Sequence, residues 1–298
     1  MSAPVHHRAG YVAIVGRPNV GKSTLLNQLV GQKISITSRK PQTTRQRITG
    51  ILTRDDAQLV FVDTPGFQTQ QRSALTRIMN RSVTQSLQQV DVVLWVIEAL
   101  KFNELDAALQ RQFPDAVPVV LAVNKVDRLA DKNAMLPFIA DLSQRFSLKA
   151  LVPVAAQKGE RLDELLKAVV PLLPEAPPLY GADEITTSSE RFMATELIRE
   201  KLFRLLGEEL PYATAVEIER FETVGNLRRI YASIIVDKAS QKPIVIGKGG
   251  EKLKLVASQA RRDMEKLFGS KVYLEVWVKV KSGWADSEAT LRRMGIDV

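Results

Sequence analysis

The chain has 298 residues, 45% of them hydrophobic and 25% charged, a composition typical of a globular protein with room for two domains. It contains no cysteine, which excludes disulfides and thiolate metal sites and favours a reducing, cytoplasmic compartment. The first ten residues lack the apolar core of a signal peptide, and the longest apolar run, 90–100, is too short to cross a bilayer. We therefore expect a soluble protein.

The net charge of +9 is unevenly distributed along the chain. Residues 183–227 contain five basic and ten acidic side chains, whereas residues 228–281 contain thirteen basic and five acidic ones. A basic stretch of this kind is compatible with a polyanionic partner, although a solvated surface would have the same composition.

Five apolar runs in the first half are continuous rather than alternating in polarity. They are YVAIVG (11–16), QLVFVD (58–63), DVVLWVIE (91–98), VPVVLAVNK (117–125) and LVPVAA (151–156). Such runs are typical of strands buried on both faces of a parallel sheet, and helix-like segments such as LDELLKAVV (162–170) separate them. The pattern predicts a doubly wound α/β domain, in which 40–52 form a mobile loop and an added edge strand.

The proline-rich stretch LLPEAPPLYGADEIT (172–186) marks a boundary, after which the order of elements changes. We predict a helix over 189–206, strands over 213–222 and 228–237, a helix over 251–268 and an alternating strand over 271–280. This order predicts a small α+β domain, a three-stranded sheet with helices on one face.

The stretch GRPNVGKST (16–24) has the phosphate-binding pattern G-x-x-x-x-G-K-[ST] directly after a predicted strand. Its backbone N–H groups can surround phosphates, its lysine places a cation beside them, and its serine can bind Mg²⁺. An ordinary turn is the alternative. The residues predicted to bind nucleotide here are Gly16, Arg17, Pro18, Asn19, Val20, Gly21, Lys22, Ser23 and Thr24.

Two further motifs follow at the ends of buried strands. DTPG comprises Asp63, Thr64, Pro65 and Gly66, in which the carboxylate can hold Mg²⁺ and the glycine N–H can reach a γ-phosphate. NKVD contains Asn124, Lys125 and Asp127. One carboxylate can accept both N1–H and the N2 amino group of guanine, and adenine lacks that pair. Asn124 would face N7 or O6, with the Lys125 stem along the base. A plain turn and a helix cap by Asp127 are the alternatives.

The three motifs and their spacing resemble the translation-factor-related P-loop GTPases, which implies GTP or GDP with Mg²⁺. The resemblance implies a metal site of Ser23, Asp63 and a threonine from QTTR, either Thr43 or Thr44, with Thr44 favoured. The last guanine-contacting motif of that class usually reads Ser-Ala, and here it is VAAQKG, so backbone contacts from Ala155 and Ala156 are expected.

Phe67 occupies the position where Ras-like enzymes have the glutamine that orients water. It is similar to GTPases with a hydrophobic residue there, and we expect slow hydrolysis supported by Lys22, Gly66 and Mg²⁺. Asn19 resembles the asparagine that helps hold K⁺ in potassium-activated members, although it could be a simple loop residue. The predicted catalytic residues are therefore Lys22, Gly66 and Asn19.

VIGKGGEKLK (245–254) contains a GxxG loop between two helical segments. The order of elements around it resembles a type II KH domain, in which this loop lets an RNA backbone approach and a neighbouring groove reads unstacked bases. The predicted RNA-binding residues are Ile246, Gly247, Lys248, Gly249, Gly250, Lys252 and Lys254. On the last strand, Tyr273 and Trp277 could stack on bases, but packing against protein is preferred.

A GTPase domain joined to a C-terminal KH domain resembles the Era family of bacterial ribosome-assembly GTPases. The implied organisation is a tail over 1–9, a GTPase domain over 10–174, a linker over 175–188 and a KH domain over 189–298. The resemblance implies binding to the 3′ end of small-subunit (16S) ribosomal RNA and a role in assembling the 30S subunit. It also implies peripheral contact with the inner membrane, and we expect a monomer.

Three other functions would fit parts of the sequence. A tRNA-modifying GTPase is the first, but it would be expected to carry a catalytic cysteine near its C-terminus, which is lacking here. The second is another RNA-binding protein whose nucleotide is mainly structural. A P-loop kinase is the third, and it has no use for NKVD.

Overall fold

The computed structural model describes residues 7–38, 40, 43–67, 74–131, 133–207, 210–287 and 291. The chain forms two compact units. The first comprises Met1–Ser35, Thr44–Gln71 and Met79–Thr187, and the second comprises Ile36–Thr43, Arg72–Ile78 and Ser188–Val298. The division after Thr187 falls within the predicted linker. In contrast to the predicted bounds, the 36–43 segment clusters with the second unit.

The first unit contains the predicted doubly wound α/β fold. Its strands are β1 (Arg8–Val15), β2 (Ile48–Thr53), β3 (Ala57–Asp63), β4 (Val92–Glu98), β5 (Val119–Asn124) and β6 (Ala150–Val154). Its helices are α1 (Lys22–Val30), α2 (Ala74–Leu87), α3 (Glu104–Gln110), α4 (Met135–Arg145) and α5 (Leu162–Val169), the first turn of α2 being grouped with the second unit.

The sheet of the first unit has the order β2-β3-β1-β4-β5-β6, and only the predicted edge strand β2 is antiparallel to its neighbour. Every residue of β3 is buried, as expected for a strand covered on both faces. Because β1, β3, β4, β5 and β6 are parallel, their carboxyl ends lie at one edge of the sheet, where the predicted nucleotide motifs begin.

The predicted tail over 1–9 is wrong for its last residues, since β1 begins at Arg8. Arg8 and Ala9 pair with Ala57 and Gln58 of β3. The Arg8 guanidinium also donates to the carbonyl oxygen of Leu173 and binds Glu175, so pairing with distant chain extends the strand beyond its apolar run. Residues 1–6 lie outside the described residues.

The second unit contains the predicted α+β fold. It consists of α6 (Glu190–Leu205), β7 (Thr214–Val224), β8 (Leu227–Val236), α7 (Gln241–Ile246), α8 (Glu251–Phe268) and β9 (Lys271–Val280). Its sheet has the order β7-β8-β9, with β7 antiparallel and β9 parallel to β8. One hydrophobic cluster joins α6 and α8 to the sheet through residues such as Ile198, Ile234 and Met264.

Among the residues that the structure describes, none of the helices combines the length and apolar character needed to cross a bilayer.

Candidate nucleotide and RNA sites

The loop between β1 and α1 brings the predicted phosphate-binding residues together. Gly21 precedes α1 with a φ of 107°, and a Cβ there would lie 2.2 Å from the Asn124 side-chain nitrogen, so only glycine fits. The buried Lys22 donates from Nζ to the carbonyl oxygens of Gly16, at 2.9 Å, and Arg17, at 3.0 Å. Burial lowers the pKa of Lys22 from its usual 10.5 to about 8. This cation points into the loop that would surround phosphates.

Three oxygen-bearing side chains meet beside this lysine. Ser23 Oγ donates to Asp63 Oδ2 at 2.8 Å and lies 3.0 Å from Thr44 Oγ1. Asp63 is completely buried, and burial raises the pKa of its carboxyl group. Its Oδ1 atom has no hydrogen-bond partner in the described part of the chain. A buried carboxylate with one unsatisfied oxygen, grouped with the Ser23 and Thr44 hydroxyls, suits Mg²⁺, which prefers oxygen ligands.

Of the two threonines that the sequence offered, the structure brings Thr44 to Ser23. The Thr43 hydroxyl lies elsewhere, 2.9 Å from Ser38 Oγ and 2.8 Å from the Lys40 carbonyl oxygen. Thr44 is therefore the threonine that lies in the predicted metal site, and its role as a metal ligand stays a prediction.

Two polar residues that were not predicted from the sequence support Asp63. The buried Ser35 donates from Oγ to Asp63 Oδ2 at 2.9 Å. Asn27 holds the backbone around Ser35, since its Oδ1 accepts from the N–H groups of Ile34 and Ser35, each at 2.9 Å. A single serine or asparagine forms no recognisable sequence pattern. These contacts could therefore not be predicted, because they depend on residues 27–35 lying close to β3 in the folded chain.

The DTPG turn packs directly on the phosphate-binding loop. A Cβ added to Gly66 would lie 2.9 Å from backbone atoms of Pro18, so a side chain here would displace one of the two loops. Thr64 is buried and donates from Oγ1 to the Ile14 carbonyl oxygen at 3.0 Å. Its hydroxyl therefore holds the turn against β1, and the contact of Thr64 with nucleotide stays a prediction.

Phe67 is partly buried against the hydrophobic cluster that contains Val83, Leu87 and Trp95. This packing position explains an apolar residue there, since the side chain fills a core instead of facing solvent.

Asn124 connects three parts of the site. Its Nδ2 donates to the Val20 carbonyl oxygen at 2.8 Å, and its Oδ1 accepts from the N–H groups of Lys125, at 2.8 Å, and Ala156, at 3.0 Å. From the sequence, this side chain was expected to contact guanine alone. In the structure it joins the phosphate-binding loop to the loop after β6, and a base contact from its other amide hydrogen stays a prediction.

Asp127 and Lys125 differ in their surroundings. The Lys125 ammonium donates to the Asn19 carbonyl oxygen and to Glu98 Oε2, both at 2.6 Å. Asp127 is half-buried, and its carboxylate has no hydrogen-bond partner in the ranges that the structure describes. It lies inside the short 3-10 helix Val126–Arg128, so it does not act as the helix cap that was the alternative. Its oxygens are available to a base.

The two backbone amides predicted to meet guanine already have protein acceptors. Ala155 N donates to the Glu160 carbonyl oxygen at 3.3 Å, and Ala156 N donates to Asn124. The Arg17 side chain also has a partner within the protein, because its guanidinium pairs with the buried Asp106 at 3.1 Å. The side chain of Arg17 therefore supports the loop, and nucleotide contacts from these three residues stay predictions.

The GxxG loop of the second unit begins where α7 ends and forms the entrance to α8. Gly247, Gly249 and Gly250 have φ values of 77°, 58° and 81°, a left-handed backbone that favours glycine. A Cβ at Gly249 or Gly250 would meet nothing within 4 Å, and Lys248 is exposed. The loop thus presents open backbone and a cation, as close approach of a sugar–phosphate chain requires.

Two exposed apolar side chains flank this loop and were not singled out from the sequence. Ile244 on α7 is 50% exposed and Leu255 on α8 is 44% exposed. On β9, Tyr273 lies with its ring 5.8 Å from that of Tyr231 on β8, which is the cross-strand packing that was preferred over base stacking. Ile244 and Leu255 are accordingly the better apolar candidates for contact with bases.

Comparison with known proteins agrees with this geometry. Residues 11–125 match the family described as 50S ribosome-binding GTPase, and residues 209–285 match the KH domain family. The chain is 57% identical to GTPase Era of Chromobacterium violaceum, over 99% of each chain. The chain belongs to the Era family of GTPases. Membership of this family identifies the protein as a GTP hydrolase and disfavours the alternative functions considered for the sequence.

Two solved Era structures share the fold of the whole chain. One is Era in complex with MgGDPNP and nucleotides 1506–1542 of 16S ribosomal RNA, with 40% identity, a TM-score of 0.95 and coverage of 98% of this chain and 100% of that one. The other is an Aquifex aeolicus Era variant bound to GDP·AlF4⁻, with 39% identity, a TM-score of 0.94 and the same coverage.

Proposed function

We propose that this Era-family GTPase binds GTP with Mg²⁺ in the first unit, hydrolyses it slowly, and binds single-stranded RNA at the GxxG loop of the second. The grouping of Ser23, Thr44 and Asp63 beside Lys22 carries the proposal for the nucleotide. Those three residues would hold the metal, and the metal would supply positive charge to offset the negative charge that develops during phosphoryl transfer. Lys22 would bind the phosphates, and the Gly66 N–H would reach the terminal one.

The RNA partner that we propose is the 3′ end of 16S ribosomal RNA, with a role in assembly of the 30S subunit. An Era structure of the same fold contains nucleotides 1506–1542 of that RNA. The open GxxG loop and the basic composition of 228–281 support the same assignment, since lysines and arginines neutralise phosphates. A cytoplasmic monomer with peripheral contact to the inner membrane is the cellular setting that the family resemblance implies.

The proposal is tested by crosslinking the protein to ribosomal particles and sequencing the bound RNA. We expect crosslinks at the 3′ end of the small-subunit RNA that are stronger with a non-hydrolysable GTP analogue than with GDP. Crosslinks concentrated on tRNA would contradict the proposal. Equal crosslinking in both nucleotide states would favour an RNA-binding protein whose nucleotide is structural.

We also propose that Asn19 helps to hold a potassium ion near the phosphates. Asn19 is exposed and has a left-handed backbone, with a φ of 65°, and its carbonyl oxygen is fixed by Lys125. Asn19→Gly tolerates this left-handed conformation and removes the side-chain oxygen, so the loop should persist while the potential potassium ligand is lost. We expect wild-type hydrolysis to be faster in KCl than in NaCl at equal ionic strength, and the variant to lose this difference while retaining GDP binding. Equal wild-type rates in the two salts would exclude a potassium site.

A further inference from the structure

A buried carboxylate on helix α3 contacts the phosphate-binding loop of the first unit. Asp106 is completely buried, and its Oδ2 accepts from Arg17 Nε at 3.1 Å and from the Asn103 N–H at 3.2 Å. Its Oδ1 has no hydrogen-bond partner among the residues that the structure describes. Burial raises the pKa of this carboxyl group, and the charge of Arg17 opposes the rise. A buried charge is costly unless it is paired, so Asp106 depends on Arg17 for its counter-charge.

The first turn of α3 fixes the position of Asp106. Asn103 Oδ1 accepts from the N–H groups of Leu105, at 3.0 Å, and Asp106, at 3.3 Å, and Asp106 accepts in return from the Asn103 N–H, which completes a capping box. The positive end of the helix dipole also favours a carboxylate at this place. Asp106 is therefore a fixed point to which the phosphate-binding loop is attached.

A second contact on the same segment holds the guanidinium of Arg17. Its Nη2 donates to the Lys101 carbonyl oxygen at 3.1 Å. Lys101 ends a turn in which its N–H donates to the Glu98 carbonyl oxygen at 3.1 Å. Within that turn Leu100 has a φ of 59°, a left-handed conformation that is uncommon for a bulky residue. Because a guanidinium is planar, two acceptors on one side fix its direction as well as its position.

Holding the Arg17 side chain also restricts its carbonyl group. The next residue is Pro18, and a proline confines the backbone of the residue before it largely to extended conformations. The Arg17 carbonyl oxygen accepts from Lys22 Nζ at 3.0 Å, and the Gly16 carbonyl oxygen accepts from the same group at 2.9 Å. An ammonium group has three donors, so these two oxygens decide where the third one points. Asp106, Arg17 and Lys22 thus form a chain of contacts from α3 to the predicted phosphate site.

We propose that Asp106 and Arg17 are positioning residues for nucleotide binding, which hold the phosphate-binding loop in the conformation that accepts phosphates. This role rests on the function proposed above, since it assumes that Lys22 and its loop bind the phosphates of GTP and GDP. Neither side chain needs to touch the nucleotide. The pair acts on the fraction of protein molecules whose loop is ready to bind, and the apparent affinity falls in proportion to that fraction.

Positioning and charge alone have opposite consequences in Asp106→Asn. A carboxylate near a phosphate site repels phosphates, so its removal would strengthen nucleotide binding if only charge mattered. If Asp106 positions the loop, its removal leaves the Arg17 side chain, which is only 15% exposed, without the carboxylate that pairs with it. The loop conformation that buries Arg17 is then less populated. We therefore expect the affinities for GDP and for a non-hydrolysable GTP analogue each to fall about five- to tenfold.

Two substitutions of Arg17 complete the test. Arg17→Met should weaken binding of both nucleotides, and the double variant with Asp106→Asn should bind no more weakly than the weaker single variant, because both substitutions break the same contact. Arg17→Lys keeps the charge but loses the two-armed contact, and it should weaken both nucleotides about threefold. Charge alone would leave Arg17→Lys unchanged, so this variant decides the question even if Asp106→Asn does not fold. Equilibrium titration of the full chain with Mg²⁺ present measures each affinity.

Two controls on α4 separate positioning from other effects. Asp141 binds Arg145 at the same distance of 3.1 Å, but both side chains are exposed, so Asp141→Asn should leave both affinities unchanged. Leu142 is fully buried in the core of the same unit. Leu142→Ala should lower the Tm of the nucleotide-free protein without changing the nucleotide affinity of the folded protein, which is the result expected of a merely structural role.

Three results would overturn the inference while leaving the proposed function in place. They are unchanged or stronger nucleotide binding by Asp106→Asn, wild-type binding by Arg17→Lys, and additive losses in the double variant. A wild-type protein that binds neither guanine nucleotide would instead refute the proposed function, and this inference with it.

Discussion

Lys248→Asp combined with Gly249→Asp should abolish RNA binding and leave GTP binding close to wild type. The two carboxylates would replace a cation and open backbone at the point where a phosphate is expected, so repulsion would replace attraction. Gly249 has a φ of 58°, and aspartate tolerates this left-handed conformation better than most residues. A Cβ there has open space, and acidic groups are favourable at the start of α8, so the fold should persist.

The measurement pairs nucleotide titration with the affinity for a single-stranded oligonucleotide of the 16S RNA 3′ end at fixed salt.

Lys266→Asp with Gly269→Asp is the matched control. Lys266 and Gly269 are exposed at the other end of α8, and Gly269 has a φ of 61° and equally open space. The two variants change charge by the same amount, so a general charge effect would weaken RNA binding in both. RNA binding that persists in the loop variant would refute the GxxG assignment and move attention to the basic residues of the first unit.

Asp127→Asn should shift nucleotide preference from GTP toward xanthosine triphosphate. The carboxylate is half-buried without a partner among the described residues, so a guanine base would supply its hydrogen bonds. An amide can accept from N1–H but opposes the N2 amino group with its own donors, whereas xanthine has an acceptor oxygen at that carbon. A lost hydrogen bond to a charged group is worth about 1.5–3 kcal/mol, so we expect GTP affinity to fall by about ten- to a hundredfold.

Titration with GTP and xanthosine triphosphate measures this change, and both affinities are compared with those of Asp163→Asn. Asp163 is exposed on α5, so this control removes one negative charge from the same unit. Unchanged GTP affinity in Asp127→Asn would show that another residue reads the base.

The sequence predicted most elements because each carries a local pattern with clear ends. The alternating strand predicted over 271–280 is β9. The helix predicted over 251–268 is α8, and glycines with a left-handed backbone, Gly250 and Gly269, mark its two ends. The continuous apolar runs likewise became the buried strands of the first sheet. Patterns of this kind depend on near neighbours in the chain, which is why they can be read without the structure.

Contacts between distant residues could not be predicted in this way. The helix over 189–206 was predicted, but not that Glu196, Arg199, Glu200 and Lys201 are buried on it. Hydrophobic periodicity cannot detect charged residues that are buried as hydrogen-bonded pairs. For the same reason the association of 36–43 with α6, across about 160 residues of chain, had no signal in the sequence.

The hydrogen bonds of Asn124 have a consequence for how quickly nucleotide exchanges. One side chain fastens the loop expected around the phosphates, through Val20, to the loop expected around the base, through Ala156. Neither loop can move away without breaking a bond to the other. Release of nucleotide should then be a single event in which both ends of the ligand are freed together. Breaking these two bonds should shorten the residence times of GTP and GDP alike.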